Sequence, residues 1–329
     1  MTDHFRVCHL ILVVPAVGSQ TKRDHAMTQP PPPSPFSVFI SGYSFLESPR
    51  WHEGRLWLSD FYTHQVLAVD AAGGIEKIAD VPQQPSGLGW LPDGRLLVVS
   101  MKDRQLLRRE DDGRLVVHAD LSAVATGYLN DMVVDAQGNA FVGNFGFDLM
   151  GGAPLQAAQL VRVAPDGAVT VVPGALQFPN GAMITADGRT LIVGETFGNR
   201  LSAFDVDTDG QLGPRRDWAA FGALPPLAEL SVVLPQLKVA PDGAALDADG
   251  AVWLADATGR RLLRVAEGGK VLEQISTGRM GVYACALGGP GRKTLYACVA
   301  PDFDPIRRSV AREAAVWSLP VKVPGAGQP

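Results

Sequence analysis

Short apolar runs separated by glycine-containing turns recur along the chain from Trp51 onward. At each turn one strand-like run arrives and a second β-rich run leaves, as in ADGRTLIVGE and ADGAVWLAD. Asp-Gly and related dipeptides supply the positive φ that tight hairpins require, so each turn predicts a β-hairpin. Six such turns occur, at successive intervals of 40, 44, 50, 62 and 41 residues, and their glycines are Gly54, Gly94, Gly138, Gly188, Gly250 and Gly291.

A second hairpin follows most of these turns, as in QVLAVDAAGGIEKIAD and RLLRVAEGGKVLEQI. Two hairpins in a period of about 40–50 residues form a four-stranded unit, which is the repeat of a β-propeller blade. Because such a unit cannot bury both of its faces alone, neighbouring units must stack around a central axis. The spacing therefore predicts an all-β, six-bladed β-propeller over residues 36–323, rather than a β-sandwich or two smaller β-domains.

The two ends of this repeat region complete each other. The last blade has a hairpin at residues 282–299 and one further strand at 315–323, which leaves it one strand short. The run FSVFIS, residues 36–41, precedes the first blade and would supply the missing strand. We therefore expect the N-terminal strand to complete the last blade and so remove the open sheet edges.

The segment before the repeats has two interpretations. Residues 7–17 form a short apolar stretch behind Arg6, so residues 1–18 resemble a secretory signal, and the protein would then be exported. Asp3 and His9 are unusual in such a signal, and translation from Met27 is the preferred interpretation. On that interpretation the protein is cytoplasmic.

Proline-rich sequence joins this segment to the propeller. Residues 29–35 have neither the donors nor the apolar surface to fold, so residues 1–35 are assigned to a leader and linker. Residues 324–329, after the last predicted strand, are assigned to a tail.

Composition excludes several classes of protein. A chain of 329 residues with 46% hydrophobic and 19% charged residues is not disordered throughout. Its net charge of −5 argues against nucleic-acid binding, and no apolar run is long enough to cross a bilayer. Cys8, Cys285 and Cys298 lack metal-ligand spacing and are too few for a disulfide framework. Motifs of serine hydrolases (G-x-S-x-G), zinc proteases (HExxH) and P-loop enzymes are absent from the sequence.

One position of the repeat is rich in oxygen-bearing side chains. In a blade the first strand begins at the face opposite its glycine turn, so residues seven or eight positions before each glycine should surround the channel mouth. We call this the axial position, and it holds Glu47, Ser86, Asn130, Asn180, Asp242 and Tyr283. Each of these could instead be an ordinary turn residue, as the dipeptides Asn180-Gly181 and Asp242-Gly243 suggest.

Four of the six axial residues, Glu47, Asn130, Asn180 and Asp242, offer a carboxylate or an amide oxygen. Two carboxylates and two amides match a divalent cation, and an all-oxygen set favours Ca²⁺, with Mg²⁺ or Mn²⁺ next. Zn²⁺ more often recruits His or Cys, so it is the least favoured of these ions. The sequence thus predicts a metal site built by four different blades.

Further polar residues end the second strands on the same face, and these are Asp60, Asn144, Glu195 and Asp256. A carboxylate next to a bound ester could act as a general base, but for Asp60 and Asp256 capping of strand ends is preferred. The apolar insertion 217–237 should lie on this face as a lid or pocket wall, and residues 150–159 could contribute.

The stretches LESPRW, YLNDMVVDAQGNAFVGN, FPNGAMITADGRTLIVGET and APDGAALDADGAVWLAD carry a family resemblance. Over nearly all of residues 36–323 the chain resembles the regucalcin (senescence marker protein), gluconolactonase and luciferin-regenerating-enzyme family. The resemblance implies a six-bladed propeller that hydrolyses lactones or related esters with a bound divalent metal. It also implies that Glu47, Asn130, Asn180 and Asp242 are the metal ligands, with Asp242 acting in addition as the catalytic base.

Two positions depart from the sugar-lactone members of that family. Tyr128 stands where those members have an arginine that holds the polar substrate, and Asp148 stands in place of a glutamate. Both residues, with Asn130, are predicted to bind substrate. The departures and the apolar insertion indicate a less hydrophilic lactone or ester than an aldonolactone.

The function predicted from the sequence is a metal-dependent hydrolase of a small-molecule lactone or ester, without nucleic-acid or membrane partners. A non-enzymatic propeller whose metal only braces the channel is the main alternative, because propellers serve both purposes. Phosphotriester hydrolysis and a strictosidine-synthase-like condensation also stay open. The sequence leaves the oligomeric state undetermined.

Overall fold

The computed structural model describes residues 33 and 35–326 and contains 24 strands, arranged as six four-stranded antiparallel sheets. The predictions for residues 1–32, 34 and 327–329, including a start at Met27, lie outside the described residues. Blades 1 and 2 consist of β2 Leu46–His52, β3 Arg55–Asp60, β4 Gln65–Val69, β5 Ile75–Asp80, β6 Pro85–Trp90, β7 Leu96–Ser100, β8 Gln105–Arg109 and β9 Leu115–Asp120. Blades 3 and 4 consist of β10 Leu129–Val134, β11 Ala140–Asn144, β12 Val161–Val163, β13 Val169–Val171, β14 Pro179–Ile184, β15 Thr190–Glu195, β16 Arg200–Asp205 and β17 Arg216–Ala220. Blades 5 and 6 consist of β18 Pro241–Leu246, β19 Val252–Asp256, β20 Arg261–Val265, β21 Val271–Ser276, β22 Gly281–Gly288, β23 Thr294–Ala300, β24 Ala314–Pro320 and β1 Ser37–Tyr43.

The six sheets form a closed ring around one axis. The first strand of each blade contacts the first strand of the next, and β22 of blade 6 contacts β2 of blade 1. All six predicted turn glycines have positive φ, as tight hairpins demand. The prediction of a six-bladed β-propeller is therefore confirmed.

The ring is closed by β1, which pairs antiparallel with β24 at the outer edge of blade 6. Ser37 lies opposite Ser318 and Tyr43 lies opposite Ala314. The predicted N-terminal closing strand is thus confirmed, and blade 6 is built from both ends of the propeller.

Apolar side chains fill the spaces between neighbouring blades. Blades 1 and 2, for example, enclose Val66, Val81, Leu88 and Val98, all of which are buried. Blades 3 and 4 enclose Phe141 in the same way. Burial on both faces explains why the second strands, such as LLVVS of β7 and VWLAD of β19, are almost continuously apolar in sequence.

Few helices interrupt the strands in the described part of the chain. Short helical turns cover Leu230–Val233, Leu234–Gln236, Pro290–Arg292 and Pro305–Val310. No helix in residues 33 and 35–326 has the length and apolar character that crossing a bilayer requires.

The predicted insertion 217–237 begins later than the sequence indicated, because Arg216–Ala220 forms the outer strand of blade 4. The apolar side chains of Trp218 and Ala219 belong to the core between blades 4 and 5. The inserted segment proper is 221–240, and its Leu230 and Val233 are buried.

The end of the chain returns to the propeller. The Ala248 N–H donates to the Pro324 carbonyl, and the Gly325 N–H donates to the Arg292 carbonyl. The described part of the predicted tail therefore links the glycine turns of blades 5 and 6. A small cavity of about 40 Å³ on the axis at this end is lined by Gly325 and Ala326.

Candidate active site

A larger cavity of about 440 Å³ opens on the axis at the end opposite the glycine turns. Five axial residues line it, namely Glu47, Asn130, Asn180, Asp242 and Tyr283. The sixth, Ser86, is buried beside them, and its hydroxyl lies 3.5 Å from Asn130 Oδ1. The structure thus brings the four predicted oxygen donors to one cavity, while their role as metal ligands stays a prediction.

An irregularity in strand pairing accompanies each of the four donors. The register between the first and second strands of their blades shifts at Glu47/Arg50, Leu129/Met132, Pro179/Ala182 and Pro241/Ala244. A β-bulge at such a point bends the strand and changes the direction of a side chain. These shifts explain how strands that otherwise pack between blades direct one polar side chain each to the axis.

The glycines after two of the donors are not turn residues. Asn180-Gly181 and Asp242-Gly243 lie inside β14 and β18, and neither glycine has a positive φ. A Cβ on Gly181 would collide with the Asp242 carbonyl oxygen, and a Cβ on Gly243 would collide with Ala284. The turn interpretation of these dipeptides is therefore wrong, because the glycines allow adjacent first strands to approach closely.

Burial and mutual repulsion raise the pKa of both carboxyl groups. The pKa of Glu47 lies well above its usual value, first because of burial and then because of the Asp242 carboxylate. The pKa of Asp242 is raised by burial and by Asp131, against hydrogen bonds from the Gly243 N–H and the Asn180 side chain. The cavity thus holds two carboxyl groups whose charged forms are disfavoured.

The amide of Asn180 is held by neighbouring hydroxyl and carbonyl groups. Its Nδ2 donates to Thr196 Oγ1 at 3.1 Å, and that hydroxyl donates to the Pro241 carbonyl at 2.8 Å. Because the nitrogen end is fixed in this way, Oδ1 is the end of the amide that is available to a ligand. Thr196 was not predicted as a site residue.

A buried ion pair lies directly behind the donors. Arg50, three residues after Glu47, donates to Asp131 Oδ1 and to the Met132 carbonyl, each at 2.6 Å. Both charged side chains are buried, and the pair joins blade 1 to blade 3 across the channel. Because the guanidinium is paired with Asp131, it does not neutralise Glu47 and Asp242 fully.

The carboxylates at the ends of the second strands accept hydrogen bonds from backbone N–H groups. Asp60 Oδ1 accepts the Phe45 N–H at 3.0 Å, and Asp256 Oδ1 accepts the Ala240 N–H at 3.0 Å. Glu195 does the same for the Gln177 N–H at 2.8 Å. The preferred interpretation of Asp60 and Asp256 as capping residues is confirmed.

Tyr128 and Asp148 are not among the described residues that line the cavity. Tyr128 packs behind the wall, with its ring 6.2 Å from the ring of Phe145. Asp148 is exposed, and its carboxylate accepts the Gly151 N–H at 2.8 Å. The structure therefore does not bring these two residues together with the oxygen donors, and their role in substrate binding stays a prediction.

Apart from Tyr283, which occupies the axial position, the sequence analysis did not predict the aromatic lining, because it sought polar groups. It comprises Phe45, Phe61, Phe145, Phe178, Phe197 and Phe303, with Tyr62 and Tyr283. The repeat contains a signal for some of them, because Phe45 and Phe178 lie two residues before an axial donor. Phe61 and Phe145 directly follow their second strands.

The donor set fits a divalent cation. Two carboxylates with raised pKa values and two amides face one cavity, and a cation would relieve the repulsion between the carboxylates. Groups of three or more His, Cys, Asp or Glu with metal-binding geometry do not occur in residues 33 and 35–326. A metal in this cavity would therefore depend on the amide oxygens of Asn130 and Asn180.

The fold and the cavity together define the class of protein. It is a six-bladed propeller in which four blades each contribute an oxygen donor to one cavity at the mouth of the channel. The chain belongs to the SMP-30/gluconolactonase/LRE-like family, whose model matches residues 45–300.

Relatives with named activities cover most of the chain. It is 28% identical over 260 residues to a pentonolactonase of Haloferax volcanii, covering 77% of this chain and 81% of the relative. It is 26% identical over 292 residues to a 6-deoxy-6-sulfogluconolactonase of Pseudomonas putida, covering 86% and 93%. Among solved structures, regucalcin of Agrobacterium tumefaciens, a calcium-binding protein, superposes with a TM-score of 0.71 at 22% identity, covering 89% and 95%.

Proposed function

We propose that this protein hydrolyses a lactone or related ester with a divalent metal ion held by Glu47, Asn130, Asn180 and Asp242. The observation that carries the proposal is the convergence of these four oxygen donors, from four blades, on one open cavity. A scaffold that only binds a partner has little need for two desolvated carboxylates in a water-accessible cavity.

The relatives support the lactone as substrate class. Two that match over most of their length are lactonases, one acting on a pentonolactone and one on a sulfogluconolactone. The similarity of fold to a calcium-binding regucalcin supports an ion such as Ca²⁺, and Mg²⁺, Mn²⁺ or Zn²⁺ would use the same donors.

When bound, a divalent cation supplies Lewis-acid polarisation of the ester carbonyl. Asp242 is the proposed base: its carboxylate takes a proton from water as the water oxygen attacks the carbonyl carbon. The bond between the carbonyl carbon and the ring oxygen then breaks, and the proton passes to the leaving alkoxide. The product is the open-chain hydroxy acid.

Asn130 is the proposed contact to the substrate on the side of blade 3, where its amide lines the cavity beside Ser86. Tyr128, which packs behind Phe145, and Asp148, which is exposed, stay predicted substrate-binding residues, although neither is among the described residues that line the cavity.

Removal and return of the metal test the proposal directly. Lactone hydrolysis is measured after chelation and then after addition of Ca²⁺, Mg²⁺, Mn²⁺ or Zn²⁺ separately. We expect activity to be lost on chelation and restored by at least one ion. Undiminished hydrolysis after chelation would contradict the metal requirement, and failure to hydrolyse any lactone or ester would favour the non-enzymatic alternative.

Substitution of the base provides the second test. Asp242→Ala removes both a ligand and the proposed base, so we expect hydrolysis to fall by at least about 1,000-fold, within the range seen for essential catalytic groups. The matched control is Asp187→Asn, in the exposed turn of blade 4. Retained turnover in Asp242→Ala, with circular dichroism like that of the wild type, would reassign the base.

A further inference from the structure

The cavity wall above the oxygen donors is built from aromatic side chains at aligned positions of the repeat. The Phe61 N–H donates to the Phe45 carbonyl at 3.0 Å, and the Thr196 N–H donates to the Phe178 carbonyl at 3.0 Å. These bonds extend the pairing of the first and second strands beyond the axial position. Phe45 and Phe178 are therefore held by their blades rather than by free loops.

The rings form two groups. The first aromatic arc is Phe145, Phe178 and Phe197, with centroid distances of 4.6 Å and 5.2 Å between successive rings. It belongs to blades 3 and 4.

The second aromatic arc is Phe61, Phe45, Tyr283 and Phe303, with successive centroid distances of 5.5, 4.8 and 6.3 Å. It belongs to blades 1 and 6, which lie across the axis from blades 3 and 4 in a ring of six. The two arcs therefore face each other above the oxygen donors.

Phe178 is held in an unusual backbone conformation. Its φ is +60°, a value that bulky side chains rarely adopt, and it is buried two residues before Asn180. Strain of this kind persists only where the surrounding structure enforces it, and it is common at functional sites. The conformation directs an aromatic ring, rather than a hydrogen-bonding group, into the cavity.

The inserted segment 221–240 adds Leu234 to the wall and is firmly attached. Asn199 is fully buried, its Oδ1 accepts the Lys238 N–H at 2.6 Å, and its Nδ2 donates to the Gln236 carbonyl at 2.9 Å. The Leu155 N–H donates to the Ala228 carbonyl at 2.8 Å, which joins the segment to blade 3. The apolar wall is therefore preformed rather than a lid that must close.

Polar groups for a sugar-like substrate are scarce above the donors. The Thr196 hydroxyl already accepts from Asn180 and donates to the Pro241 carbonyl. Besides the phenol groups of Tyr62 and Tyr283, the remaining polar side chains of the described lining above the donors are Thr258 and Arg260, which are exposed. A polyhydroxylated lactone would lose its hydrogen bonds to water against the two arcs without recovering them, which is costly.

Resting on the proposed function, we propose that the substrate is a lactone or ester carrying an apolar aryl or alkyl group, which packs between the two aromatic arcs. The carbonyl of that substrate faces the oxygen donors, and the apolar group replaces water in the upper cavity. Aldonolactones, whose ring carbons carry hydroxyls, are then poor substrates despite the family relationship.

Matched substrates test this inference. Rates are compared, with the activating divalent ion present, for dihydrocoumarin as an aryl lactone, δ-decalactone as an alkyl lactone and glucono-1,5-lactone as a polyhydroxylated one. We expect kcat/KM for the better of the two apolar lactones to exceed that for gluconolactone by at least about 100-fold. The ranking of dihydrocoumarin and δ-decalactone decides between an aryl and an alkyl group.

A variant in the first aromatic arc tests whether the preference for apolar lactones depends on the aromatic wall of the cavity. In Phe145→Ala we expect the ratio of kcat/KM for dihydrocoumarin to that for gluconolactone to fall about tenfold, the size of one lost aromatic contact plus its buried area. The control is Phe147→Ala. Phe147 is equally buried in the same loop and contacts Phe197, but it is not among the described lining residues. Binding of 3,4-dihydro-2-quinolinone, the unreactive lactam analogue, is measured by calorimetry and should weaken in Phe145→Ala alone.

The outcomes separate this inference from the proposed function. If gluconolactone is hydrolysed as fast as both apolar lactones, or faster, the inference is overturned and the lactonase proposal stands. Hydrolysis of none of the three would overturn both. If Phe145→Ala and Phe147→Ala change the ratio equally, the arcs do not determine specificity and the inference fails.

Discussion

At the scale of single residues, Glu47 and Asp242 are the side chains whose burial lowers the stability of the fold. Both carboxyl groups are desolvated beside each other, and the guanidinium behind them is already paired with Asp131. Two acids placed in this way raise the free energy of the folded state unless a cation or a proton compensates. Their presence is therefore better explained by ligand binding than by stability.

The first prediction concerns Glu47→Gln. Removing one of the two ligand charges should weaken Ca²⁺ binding by about two orders of magnitude, because the number of charged ligands sets the affinity of oxygen sites. Calorimetric titration of the purified variant with Ca²⁺ alone measures this. The variant should fold, since the substitution removes repulsion and preserves side-chain volume.

The control is Glu53→Gln. Its side chain is 81% exposed in the first glycine turn of the same blade, at the other end of β2. We expect its calcium affinity to equal that of the wild type. Equal affinity in Glu47→Gln as well would remove Glu47 from the site.

Site residues that are polar and recur at one position of the repeat could be predicted from the sequence. Site residues that matter because of what they contact in the fold could not. The axial position could be found because β-propeller repeats align equivalent residues, so Glu47 and Asp242 could be compared without coordinates. The ion pair of Arg50 and Asp131 joins positions 81 apart in the chain, and no spacing rule connects them. Phe178 could not be predicted as a site residue either. From sequence alone a phenylalanine next to a strand is assigned to the hydrophobic core, and only the structure shows that its ring points into the cavity.

At the scale of elements, closure of the ring depends on β1. Without it, β24 would expose an unpaired edge, which promotes association with other chains. Ile40 of β1 is 6% exposed and packs with the core between blades 6 and 1, whereas Val38 of the same strand is 47% exposed. The two residues lie two positions apart, and the register shift between them, opposite Trp317 and Val316, places them on opposite faces of the strand.

The second prediction uses these two faces. Ile40→Asp should lower the free energy of unfolding by at least about 3 kcal/mol, because it removes a buried side chain and introduces an unpaired charge. Val38→Asp should change it by no more than about 1 kcal/mol, as for other exposed positions. Urea denaturation followed by fluorescence measures both. Similar losses in the two variants would mean that β1 does not close the ring through its buried face.

The element-scale prediction from sequence succeeded where local patterns repeat and failed where an apolar pattern has two explanations. Gly250 and its equivalents identify hairpins because positive φ restricts the residue type. The apolar run around Trp218 was assigned to an insertion, yet it is the outer strand of blade 4. Apolar residues in a short run do not reveal whether they pack under a sheet or line a pocket.

At the scale of the whole molecule, the four donors come from blades 1, 3, 4 and 5. A ligand that contacts all four would join blades that are far apart in the chain, and it would bind only the folded ring. Such binding stabilises the native state by mass action.

The third prediction follows from this linkage. At a calcium concentration of about 100 times Kd the native state should gain about 2.7 kcal/mol, and the thermal midpoint should rise by several degrees. Differential scanning calorimetry across a calcium series measures the shift. Glu47→Gln should show little shift over the same range, and an equal shift in both proteins would place the stabilising ion elsewhere.

The axis of the ring is obstructed at the end with the glycine turns. Arg50 and Asp131 cross the channel behind the donors, and Gly325 and Ala326 line the small cavity beyond them. Among the described residues, the 440 Å³ cavity opens at the opposite end of the axis, where the aromatic rings frame the entrance to the donors. A product that leaves slowly through this entrance would compete with the next substrate for the same cavity.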